Sequence, residues 1–158
     1  MEEKIRQQIK NIISSEICQK CKIPYYVCKK KYLGEWHKEE KILFPGYVFL
    51  ITEKPEALLW ELRKIPSITK LLSSEQEILS ITEAEQKVLE RLCGEEQKAE
   101  MSYGIVVNDT IQIISGPLKG MEGMVRKIDR HKRFAWIEQV MFGEKRLIRV
   151  GLEIVEKI

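Results

Sequence analysis

The chain has 158 residues, 44% of them apolar and 32% charged, with a formal net charge of +3. That length suits one ordinary domain or two small ones, and the apolar share is enough for packed cores. The longest nearly unbroken apolar run, Ile42 to Ile51, is too short for a membrane helix of ~20 residues, and the opening MEEKIRQQIK lacks the apolar stretch of a secretory signal. A cytoplasmic protein with no membrane role is expected.

Ile5, Ile9, Ile12 and Ile13 recur on one helical face, with Arg6 and Lys10 on others, which predicts an amphipathic helix at the start. Pro24 to Cys28 reads as extended. The charged run from Lys29 to Lys41 is too polar to bury and is expected to form a hairpin or a surface excursion. Ile42 to Ile51 then reads as an aromatic and β-branched strand after a Pro-Gly turn. Pro55 suits the first turn of a helix carrying Leu58, Leu59, Leu62 and Ile65, and Pro66 stops it. Thr82 stands three residues before Glu85, a capping-box pattern, ahead of the apolar stripe Val88, Leu89 and Leu92, and Gly94 follows at the C-terminal cap.

Cys93 to Gly104 has no apolar period and reads as a linker. Beyond it, short strands are predicted over Thr110–Ile114, Met124–Asp129, Phe134–Val140, Lys145–Val150 and Leu152–Val155, with turn signals between them. Five short strands in about 50 residues suggest a small, strongly twisted barrel. The segment NDTIQIISGPLKGMEGMV, Asn108 to Val125, has Gly116-Pro117 breaking an apolar run and Gly120 and Gly123 following, a strand–turn–strand pattern. Charge is uneven: residues 1–104 hold 17 Lys+Arg against 17 Asp+Glu, and residues 105–158 hold 10 against 7. The whole excess is thus in the last third, where phosphate is the natural counterpart.

The strand–turn–strand at Ser115–Val125 resembles the KOW motif. Together with Phe44-Pro45-Gly46-Tyr47-Val48-Phe49, Ile65-Pro66-Ser67-Ile68 and Val140-Met141-Phe142-Gly143, in that order and spacing, it makes nearly the whole chain resemble the NusG family of transcription elongation factors. The resemblance implies an α+β fold. An N-terminal α/β sandwich of the NGN type covers 1–93, a linker covers 94–104, and a small SH3-like KOW β-barrel covers 105–158. The family opens with a strand resembling Trp-Tyr-Val ahead of the first helix, whereas Met1-Glu2-Glu3-Lys4 is already at the helix. Losing an interior strand would expose apolar surface and unpaired backbone, so a start assigned too late is the expectation. The basic turn Asp129-Arg130-His131-Lys132-Arg133 and the divergent segment Glu16 to Lys41 resemble the operon-specific paralogues of the LoaP and RfaH type more than the general factor.

The resemblance assigns Phe44, Tyr47, Phe49 and Leu71 to contact with the clamp helices of the largest RNA polymerase subunit. Lys119, Arg126, Lys127, Arg130, His131, Lys132, Arg133, Lys145, Arg146 and Arg149 are candidates for nascent RNA, with Phe134 and Trp136 nearby; aromatic stacking and phosphate pairing are the usual devices. Met141 and Phe142 mark a turn that in the general family docks a ribosomal protein or the termination factor Rho; Glu144 stands where a basic residue is usual there. Non-template DNA is a further partner the family admits, and a monomer is expected. No cofactor is expected. Cys18 and Cys21 have metal-ligand spacing that Cys28 or His37 could complete, but no second such pair exists, and reduced, non-ligating thiols are the expectation. With His37 and His131 as the only histidines and no phosphate-loop or Rossmann fingerprint, a catalytic set does not emerge. A general NusG and, from another class, a KOW-containing ribosomal protein are the competing readings.

Overall fold

The computed structural model describes residues 1–65 and 80–158. In chain order its elements are α1 (Glu2–Ile12), β1 (Lys20–Lys22), β2 (Tyr25–Tyr32), β3 (Glu35–Ile42), β4 (Phe49–Ile51), α2 (Pro55–Leu62), α3 (Glu83–Cys93), β5 (Lys98–Ala99), β6 (Ser102–Val107), β7 (Thr110–Ser115), β8 (Val125–Asp129), β9 (Phe134–Met141) and β10 (Glu144–Lys157). Helices with largely antiparallel sheets make this an α+β protein, the fold class expected. Two compact units interleave along the chain: one takes residues 1–23 and 44–80, the other 24–43 and 81–158. Among the described residues no helix is long and apolar enough to cross a membrane.

In the first unit, Ile9 and Ile13 of the N-terminal segment pack with Cys18, Cys21, Leu58, Leu62 and Ile65, and Ile5, Ile17, Val48 and Leu50 line the edge of that core. Ile12, expected on the same face, is 53% exposed: the helix ends there and Ile13 turns back in with extended backbone. β1 and β4 pair antiparallel, Cys21 opposite Leu50. The strand expected over Ile42–Ile51 is interrupted. Ile42 closes β3, Pro45 and Gly46 turn the chain with Tyr47 N–H donating to the Phe44 carbonyl at 3.1 Å, and pairing resumes only at Phe49. The FPGY sequence is therefore a corner between two strands, because Pro removes one ladder donor and Gly permits the reversal.

In the second unit, the charged run forms the hairpin β2–β3, Tyr25 opposite Ile42 and Tyr32 opposite Glu35, turning at Leu33-Gly34. Thr82 caps α3 as expected, its Oγ1 accepting from Glu85 N–H at 3.2 Å. The main sheet runs β7-β6-β10-β9-β8. Two expectations change here. Residues 94–104 are not structureless: β5 pairs parallel with β2, Ala99 is fully buried, and β6 starts at Ser102. Two-residue strands held by backbone bonds leave no period in the sequence, which is why the stretch reads as a linker. The final strand is also continuous through Gly151 rather than split there; its first half pairs with β9 and its second half, in parallel, with β6.

Two glycines are required by close approach. A Cβ on Gly116, which has φ +99°, would sit 2.5 Å from the Ser102 Cα, and one on Gly151 would collide with the Val27 carbonyl where the hairpin crosses β10. Beside Gly116, the buried Ser102 hydroxyl accepts from Leu118 N–H at 3.0 Å, and Leu118 and Met121 fill the core beneath the loop. The sequence's strand–turn–strand reading holds for this loop, with a short 3₁₀ turn at Glu122–Met124 ahead of β8.

Candidate functional site

Three aromatic residues of the first unit, Phe44, Tyr47 and Phe49, sit in and around the FPGY corner. Phe44 is only 6% exposed and meets Phe49 edge-on, ring centroids 5.6 Å apart; Tyr47 and Phe49 are half-buried. Phe44 is thus a packing residue under the corner, while Tyr47 and Phe49 retain accessible surface. Leu71 lies outside the described residues. Nothing in the sequence pattern singles out Trp60, which stands 64% exposed on α2 and is the most exposed aromatic among the described residues of this unit. An apolar helix position with one large ring looks like core in a sequence pattern.

The ten basic candidates divide into two sets. Arg126 is tied to Glu138 at 2.7 Å and to the Gly123 carbonyl; Arg146 to Glu144 at 3.1 Å, the Met141 carbonyl and the Phe142 ring; Arg133 to Glu153 at 2.8 Å. Arg149 lies with its guanidinium carbon 3.6 Å over the Phe134 ring and 5.9 Å from that of Trp136, its buried Nε without a hydrogen-bond partner among the described residues. In the sheet register, Lys127, Trp136 and Arg149 form one row across β8, β9 and β10. Trp136 is half-buried.

By contrast, Lys119, Lys127, Arg130, His131, Lys132 and Lys145 are exposed, and none is in an ion pair among the described residues. Three of them are consecutive, at the turn joining β8 to β9. That turn is built rather than loose. Asp129 Oδ1 accepts from Lys132 N–H at 2.9 Å, Arg133 takes φ +57°, and the Arg133 carbonyl accepts from Leu152 N–H at 3.0 Å. Free cations on a fixed turn can meet phosphates at little ordering cost, whereas stacked or paired arginines must first give up contacts of about 0.5–2 kcal/mol each.

Phe142 and Gly143 form the turn between β9 and β10. Met141 is fully buried, and Phe142 has φ +57°. The carboxylate of Glu85, itself 5% exposed on α3, accepts from Phe142 N–H at 2.6 Å. One helical turn and a half further on, Arg91 donates to the Lys119 carbonyl in the loop after β7 at 3.0 Å. Helix α3 therefore holds both loops that the sequence singled out, a link that no local pattern reveals.

All four cysteines are buried thiols. Burial pushes the Cys18 and Cys28 thiols up, and burial, reinforced by Cys18, pushes Cys21 up to about 11. Neutral thiols are poor nucleophiles and poor ligands. Among the described residues no three His, Cys, Asp or Glu side chains gather into a metal-holding group, the set Cys18, Cys21 and Cys28 included.

Residues 1–90 match the family model described as transcription termination factor nusG, and residues 107–140 match the KOW motif. A Borreliella burgdorferi protein named transcription termination/antitermination protein NusG is 23% identical over 170 aligned positions, covering 99% of this chain and 92% of that protein. A Rickettsia felis protein of the same name is 25% identical over 136 positions, covering 85% and 71%, and a Pseudomonas aeruginosa one is 23% identical over 127, covering 79% and 72%.

Proposed function

From the premise that this chain belongs to the NusG family, whose members are transcription termination and antitermination factors and not enzymes, we propose that it is an operon-specific antiterminator. Family membership implies binding to RNA polymerase. In this reading residues 1–93 contact the clamp helices of the largest subunit, with Tyr47 and Phe49 at the surface and Phe44 supporting them from below. Residues 105–158 take hold of nascent RNA, and a hairpin in the leader transcript is the expected target. No bond is made or broken: binding energy shifts the polymerase toward its pause-resistant state.

The observation that carries the RNA assignment is the fixed turn bearing Arg130, His131 and Lys132, all exposed and outside any ion pair of the described residues. The Phe142 turn offers less to a protein partner, since its backbone N–H is taken by Glu85 and its ring by Arg146. Binding of the purified chain to its leader RNA, against a scrambled RNA of equal length, tests the proposal. Preference for the leader, weakened by Arg130→Gln, is expected. Equal binding to both, with that substitution silent, would sink it in favour of the general factor. For the general factor, binding should instead be to Rho or a ribosomal protein and should be lost on Phe142→Ala.

A further inference from the structure

Beside the β8–β9 turn lies an open pocket of about 400 Å³ lined by Arg130, His131, Arg133, Glu153 and Ile154. The carboxylate in it is already satisfied: Glu153 bonds Arg133 at 2.8 Å through one oxygen and Lys29 of the β2–β3 hairpin at 3.0 Å through the other. Two cations on one anion leave a positive surplus, and Arg130 adds to it. An unoccupied carboxylate would repel an anion; this one instead fixes the two cations around it. Arg133 is held on a second side as well, its guanidinium carbon 3.7 Å over the ring of Trp36 on β3. Its left-handed backbone, φ +57°, and the bond from Leu152 N–H to its carbonyl set the direction in which the side chain leaves the turn.

We propose that this pocket binds a phosphate group, that in the cell the phosphate is one of the RNA backbone, and that Trp36 is a positioning residue for it. Naming RNA as the bearer rests on the function proposed above; the pocket itself does not. Arg130 and His131 supply donors with no competing partner among the described residues, and Arg133 presents its remaining N–H groups from a guanidinium plane pinned by the indole. A planar fork held in place recognises phosphate oxygens better than a mobile one. The hairpin, which the sequence marks as charged surface without a partner, thereby becomes part of the nucleic-acid surface.

The test uses the full chain, isotope-labelled, titrated separately with sodium tripolyphosphate, a single-stranded RNA and a DNA of the same sequence. The Trp36 indole N–H and the His131 ring signals are followed, alongside affinity. Tripolyphosphate should shift both signals. Arg130→Gln should weaken RNA about tenfold at 0.1 M salt; Trp36→Leu should weaken it roughly three- to fivefold; Trp36→Phe, which restores a ring, should return it to within about twofold of the original. Arg130→Gln alters an exposed side chain outside the recorded ion pairs, so it reads the pocket even if Trp36→Leu fails to fold. Phosphate shifts without RNA binding would support the pocket and overturn the RNA reading. RNA binding that ignores both Trp36 substitutions, with Trp36 unmoved by tripolyphosphate, would overturn the pocket; a leader preference still weakened by Arg130→Gln would then leave the RNA reading standing. Equal affinity for the DNA would support the pocket while pointing to a displaced DNA strand as the bearer.

Discussion

Gly116 and Cys21 illustrate how much single positions carry. Gly116 combines φ +99° with a backbone neighbour 2.5 Å from where a Cβ would lie, so neither rotation nor a flexible side chain can make room. Gly116→Ala should therefore cost upward of about 2 kcal/mol, read as a fall in the denaturation midpoint, where an ordinary surface substitution changes stability by less than about 0.5. Cys21 makes a pH prediction. Its folded pKa, about 11, exceeds the ordinary value of 9.0, so folding favours the neutral thiol. The resulting stability is fully present below pH 9 and is lost as the pH rises toward 11, because the unfolded chain ionises first. Denaturation followed from pH 8 to 11 should show this loss, and Cys21→Val should flatten the curve relative to the unsubstituted chain; an identical slope in both would remove Cys21 as the cause.

At the scale of elements, α3 links the two barrel loops through Glu85 and Arg91. Glu85→Ala leaves the Phe142 N–H without its acceptor, at a cost of about 1–3 kcal/mol, and amide exchange at Phe142 should quicken more than at Ile137 in the strand centre. Unchanged exchange at Phe142 would mean that the bond is not holding the turn. The capping box that marks this helix was readable from Thr82 and Glu85, but Glu85's second task was not, because its partner is 57 positions away. The same distinction runs through the other elements. Helix α1, helix α2 and the strands β7, β8 and β9 announce themselves by period and turn chemistry. The β6 strand was missed because Met101, Ser102 and Gly104 are buried without being a conventional apolar run, and β10 was divided because Gly151 looks like a break. It is in fact the one residue small enough for the hairpin to cross.

For the whole molecule, the family and the α+β class were legible from the order of four short motifs, while the partition of the basic residues into paired and unpaired sets was not. A sequence counts charges; it does not say that Arg126, Arg133 and Arg146 have carboxylates and that Lys127, Arg130 and Lys132 lack them. This partition sets the expected salt response. With five lysines and arginines outside the ion pairs of the described residues at most engaging single-stranded RNA, the slope of log affinity against log salt should not be steeper than about −3.5. A much steeper slope would mean that the paired arginines are also recruited; a slope near zero would remove backbone phosphate from the binding altogether.

The parallel pairing of β6 with the second half of β10 has a mechanical consequence. Ser102 lies opposite Leu152 and Val106 opposite Lys157, so tension applied before β6 and after β10 would slide the two strands along one another. Loaded in shear, their slanted bonds must yield together; the antiparallel β9–β10 ladder, pulled from its open end, would instead give way one rung at a time. In the function proposed above, traction between polymerase and transcript would load this parallel pairing in shear.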